Sequence, residues 1–202
     1  MDIDPKDLIE TSSAAADLRE RRAVRLNAAV AVTVALLATF MGICKVKDDN
    51  IVQAMQQAQA DKLDHWAFYQ ARNLRQELAE ATATQLELAA PAAGAAQAAA
   101  YATAITRYRT LAQEQARKKD EVRAQAEQDQ KTYDALNFRD DQFDLSDALI
   151  AIAIAMLAVT ALTRLWALYW AALLPTAAGV LMGVAGLAGL TIHPAALIRL
   201  LS

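Results

Sequence analysis

Cysteine, histidine, proline and glycine are all scarce in this chain. Cys44 is the only cysteine, so no intramolecular disulfide can form and thiol chemistry does not reveal the compartment. At the end of an apolar run it reads as a small filler rather than a reactive thiol. The two histidines, His65 and His193, do not have the spacing of paired zinc ligands. Neither a glycine-rich phosphate loop nor a nucleophile elbow is present. Asp61 stands one turn before His65, which reads as a solvated helix-face pair rather than a metal site. The Asp-Asp pairs at 48–49 and 140–141 read as solvated flanks. We expect no catalytic residue, no cofactor and no metal: a non-enzymatic protein. A net charge of −3 is too small to argue for nucleic acid.

Helix breakers are missing over long distances. No glycine or proline occurs from Lys45 to Ala90, and after Pro91–Gly94 none occurs until Pro175. Both intervals are filled with Ala, Gln, Glu, Leu and Arg, which favour helices. The spacing predicts two long helices and one turn at 91–94, an antiparallel hairpin over 45–147.

Charge is absent from three apolar runs, 28–44, 148–163 and 167–192. About 18 apolar residues suffice to cross a bilayer core roughly 30 Å thick, and with their flanks all three runs reach that length. The first also resembles a targeting signal, but "MGICKVK" offers no small-residue cleavage site, so a retained anchor is expected. Ionisable residues inside spans would mark a transport path. Asp147, Arg164 and His193 sit only at the edges, so transport is disfavoured. Trp166, Tyr169 and Trp170 read as an interfacial belt. Arg19, Arg21, Arg22 and Arg25 crowd the first span and place residues 1–27 in the cytoplasm by the positive-inside rule. The hairpin is then periplasmic in a bacterial inner membrane, with a short C-terminal tail at 193–202.

Apolar spacing suggests that the two arms pair. On the returning arm Tyr101, Ile105, Tyr108, Ala112, Val122, Ala126, Tyr133 and Leu136 fit alternating steps of four and three, interrupted by Gln115, Lys119 and Asp129. On the outgoing arm Val52, Met55, Leu63, Trp66, Leu74, Leu78 and Ala81 recur at a longer step. Folding at 91–94 sets Leu63 opposite Val122, Trp66 near Lys119, Gln70 near Gln115 and Leu78 near Tyr108. Leu63, Trp66, Leu74, Leu78, Tyr108 and Val122 are the expected stalk core. Lys119 would lie over the Trp66 indole as a cation–π contact. Phe68, Arg72 and Arg75 point outward in this phase, an aromatic–basic patch of the kind enriched in binding hot spots.

The stretch "LDHWAFYQARNLRQEL", followed by "ALIAIAIAMLAVTALTRLWALYW" and a glycine-rich last span, resembles a bacterial membrane family known only as domain of unknown function four-three-three-seven. Asp64, Trp66, Tyr69, Gln70, Ala71, Arg72 and Arg75 carry the resemblance. It implies an N-terminal span, a helical stalk and a closing pair of spans, and no activity.

In "GVLMGVAGLAGL", Gly179, Gly183 and Gly186 form a smooth ridge that lets helices approach closely. Either the chain's own spans or a second copy could fill it. The expectation is an all-α membrane protein with three transmembrane helices and a long coiled-coil hairpin between the first and second. It would act as an oligomeric spacer or docking arm in contact with lipid, or else as an accessory subunit of an envelope or export complex that binds a protein partner through the hairpin. A sensor would need an output domain, which residues 1–27 do not supply.

Overall fold

The computed structural model describes residues 5–190, with side chains from residue 16 onward. The described residues are all helical or in turns. Helix α1 runs Pro5–Ala89, a 3-10 turn covers Ala90–Ala92, α2 runs Ala95–Thr163 and α3 runs Trp166–Ala188. Most of the expected N-terminal tail is thus the first part of α1. His193 and the tail at 193–202 lie outside the described residues.

The breaks fall where the sequence places its breakers. Pro91 sits in the 3-10 turn, and Ala93 is extended at ψ 135°. The Ala93 N–H closes the turn on Ala90 O at 3.1 Å, and Gly94 O accepts the Gln97 N–H at 2.9 Å to open α2. Two residues join α2 to α3. Arg164 takes a left-handed conformation at φ 58°, and its N–H returns to Thr160 O at 2.8 Å. Helix α3 ends on Gly189 at φ 68°, with the Leu190 N–H on Ala185 O at 2.9 Å. That is the hydrogen-bond pattern of a Schellman closure.

The chain divides into two compact units, Met1–Ile51 with Phe138–Ser202, and Val52–Asn137. The first holds the apolar helices. All three helices are long and apolar enough to cross a membrane. Leu26, Val30 and Leu37 of α1 meet Ile150, Ala153 and Leu157 of α2 and Ala172 of α3 in one buried cluster. Only 17% of the most apolar stretch of α1 is buried in the chain, and 33% of those of α2 and α3. Most of their apolar surface therefore faces outward, as hydrocarbon solvent permits and water does not.

The second unit brings together residues 52–89 of α1 and 95–137 of α2. Lys62 Nζ donates to Gln130 Oε1 at 2.8 Å, Arg72 Nη1 to Gln115 Oε1 at 3.0 Å and Lys119 Nζ to Asn73 Oδ1 at 3.1 Å. His65 Nδ1 lies 2.6 Å from Asp129 Oδ2, and Arg109 pairs with Glu87 at 2.7 Å. Buried between the helices are Met55, Ala58, Ala79 and Ala83 of α1, and Ala112, Gln115 and Ala126 of α2.

Candidate functional site

Within the second unit, α2 buries one face. Tyr108 and Val122 are half-buried, and Ala112, Gln115 and Ala126 are buried at the same alternating spacing. The expected face of α1 is wrong. Leu63 is 58% exposed, and Leu74 and Leu78 are each 66% exposed. The residues that meet α2 are Met55, Ala58, Lys62, His65, Tyr69, Arg72, Gln76, Ala79 and Ala83, in unbroken steps of three and four. Leucine was a misleading guide because the two helices meet through small alanines and paired polar groups, which a hydrophobicity reading discounts. The expected register moves with the phase. Lys119 reaches Asn73 and lies 5.9 Å from the Tyr69 ring centroid, not over Trp66.

The aromatic–basic patch is correspondingly split. Phe68 is 59% exposed and Arg75 is exposed, whereas Arg72 is half-buried and spends a donor on Gln115. Trp66 stands edge-on to Tyr69 with centroids 5.3 Å apart and remains 37% exposed. Nor is Asp61 the partner of His65, since it accepts from Gln57 at 2.8 Å while His65 turns to Asp129.

In the first unit the glycine ridge is occupied by the chain itself. A Cβ on Gly179 would fall 2.9 Å from an Ile150 side-chain carbon, one on Gly183 2.7 Å from both Phe40 and Ser146, and one on Gly186 2.9 Å from Phe143. Ser146 Oγ also donates to Gly179 O at 2.8 Å. These glycines bring α3 close against α1 and α2 and leave no ridge open to a second copy. The packing begins on α2 at Gln142 and Phe143, both essentially fully buried, several residues before the expected start of the span at 148.

Beside this packing lies a carboxylate cluster, where solvated flanks are expected from the Asp-Asp pairs at 48–49 and 140–141. Asp48 is only 4% exposed and accepts Lys45 Nζ on Oδ2 at 2.7 Å. Its Oδ1 is buried without a conventional donor. Asp140 lies against it, its pKa pushed up to about 6 by burial first, then by the hydrogen bond to Asp48 and the charges of Asp144, Asp48 and Asp141. A raised Asp140 keeps its proton to higher pH than an ordinary carboxyl, and in that form it can donate to Asp48. Lys45, in turn, is held protonated by Asp48. Nothing in the sequence marks the two acids as partners, because their approach depends on how α1 and α2 pack. Among the described residues, no group of three or more His, Cys, Asp or Glu is placed to hold a metal ion.

Arg139 and Gln142 were also missed. Arg139 Nη2 donates to Gly186 O at 2.9 Å, and Gln142 Nε2 to Leu190 O at 2.8 Å. Arg139 thus adds a side-chain donor to a carbonyl that also accepts the Gly189 N–H, and Gln142 serves a carbonyl just past the C-cap.

No curated protein and no solved structure matches this chain. A family match does exist, and it spans both units: the chain belongs to the family described as a domain of unknown function, DUF4337, which it matches over residues 26–189.

Proposed function

We propose that the protein is a non-enzymatic, membrane-anchored spacer or docking arm, in which residues 45–147 form a coiled-coil hairpin that assembles laterally with other copies. The arginines before the first span support an inner-membrane placement with the hairpin in the periplasm. The observation that carries the reading is a second apolar stripe on α1, opposite the face that meets α2. Leu63, Ala67, Ala71, Leu74, Leu78, Ala81 and Leu88 recur at three- and four-residue steps, apart from one gap filled by Gln85, and all are exposed. This stripe is more apolar than the seam inside the chain. The outer face of α2 is different, with its charges tied up along the helix as Glu114–Lys118, Arg117–Glu121 and Arg123–Glu127 pairs. One apolar face per chain suits a closed, self-complementary pairing of α1 with α1. Copies inserted alike would pair in parallel. Arg75 of one copy then lies between Gln70 and Glu77 of the other, and Phe68 against Leu63.

The test uses the full chain with Cys44→Ser, reconstituted in vesicles, and single cysteines at Ala67, Leu78 or Leu88. Oxidation should yield a homodimer from all three, while Arg117→Cys on α2 stays monomeric. Equal crosslinking of the α2 control, or none on the stripe, would remove the reading. The second reading, an accessory subunit, is favoured by the exposure of Phe68. It predicts that native membranes yield a stripe adduct of a different mass.

A further inference from the structure

At the junction of α2 and α3, the first unit has a groove of about 830 Å³ bounded by Ala16, Arg19, Glu20, Arg22, Ala23, Arg164 and Trp166. Three guanidinium groups and one carboxylate line it, and all four side chains are exposed. Helix α3 opens into the same corner. Its first turn contains no acidic residue and its N-cap, Leu165, makes no side-chain cap, so its free N–H groups favour an anion. Beside the groove, Trp166 and Tyr169 meet edge-on at 5.7 Å, and Tyr169 and Trp170 at 5.8 Å. Such aromatic clusters settle at the headgroup level of a bilayer.

The turn between α2 and α3 brings Arg164 to the same groove. Its φ of 58° is left-handed, at the end of a helix where glycine is the usual and less strained occupant. The chain puts an arginine in that position and so aims a third guanidinium at the groove.

We propose that this groove binds the phosphate of an anionic phospholipid, with Arg19, Arg22 and Arg164 as its cationic contacts and Trp166 against the glycerol and upper acyl region. The site faces the lipid leaflet through its aromatic edge, which distinguishes it from a site for a soluble anion. Glu20 disfavours a second negative charge, so a monoanionic headgroup such as phosphatidylglycerol fits best. The inference rests on membrane insertion but not on pairing of copies.

The experiment measures thermal unfolding of the full chain in neutral detergent as phosphatidylglycerol, phosphatidylcholine or inorganic phosphate is added. Phosphatidylglycerol should raise the midpoint saturably, and the other two should not at equal concentration. Arg164→Gly is the informative variant, because glycine relaxes the backbone while removing the guanidinium. Without lipid it should melt at or above the wild-type temperature, yet need roughly five to ten times more phosphatidylglycerol for half the shift. Arg117→Gln, far along α2, should respond as wild type. An equal response to inorganic phosphate would make this a general anion site, an equal response to phosphatidylcholine would make it nonspecific lipid solvation, and an unchanged Arg164→Gly response would remove Arg164 from it. Any of the three overturns the proposal. Failure of the chain to float with vesicles would instead overturn the membrane reading beneath it.

Discussion

Single residues in this protein matter most where α1, α2 and α3 converge. Burial and the neighbouring carboxylates push Asp140 up to about 6 in the folded state, above the unfolded value of about 3.9. Between those two values the folded state holds more protons than the unfolded one, so stability is fully present below about pH 3.9 and falls as pH rises through about 6. The melting temperature in detergent should therefore be higher at pH 5 than at pH 7.5. Asp140→Asn, which keeps a donor for Asp48 at every pH, should reduce that difference, with burial-raised Asp144 and Asp147 supplying the remainder, and an unchanged slope would remove Asp140 from the titration. Gly183→Ala should lower stability by roughly 1–3 kcal/mol through overpacking, because its new Cβ would meet Phe40 and Ser146 at 2.7 Å. Gly42→Ala, with nothing within 4 Å, is the matched control and should melt no lower than wild type. The glycine ridge was legible in the sequence because small residues at four-residue spacing have few other uses in an apolar helix. The Asp48–Asp140 pair was not, since two acids a long way apart in sequence carry no mark of shared burial.

The long helices show how far periodicity can be trusted. The break at 91–94 is legible in the sequence, because proline and glycine interrupt a helix for a direct physical reason. The face of α1 is not. It carries two stripes at compatible spacing, and the greasier one, through Leu63, Leu74 and Leu78, points away from α2. Alanines buried beside paired polar groups won the inner face because they let the helices approach while each side-chain donor finds an acceptor. A double-mutant cycle separates the two phasings. Arg72 and Gln115, in contact at 3.0 Å, should couple by about 1 kcal/mol or more. Trp66 and Lys119, paired only in the leucine phasing, should be close to additive. The reverse result would restore the leucine seam.

At the scale of the whole molecule, the arginine-rich start of the first span sets the orientation to be tested. In a Cys44→Ser background, Gln97→Cys near the turn should react with a membrane-impermeant thiol reagent in intact spheroplasts, and labelling only after lysis would invert the topology. Three apolar helices were legible from the absence of charge, and their mutual contacts were not, because hydropathy records how greasy a helix is and not which neighbour it meets. Arg139 and Gln142 illustrate the difference. Both stand on α2, and both hydrogen-bond to carbonyls at the far end of α3. Because synthesis runs from the N-terminus, α2 exists before α3 emerges, and its two donors precede the acceptors they serve. Helix α3 thus emerges to a partner that already carries the two donors its end meets.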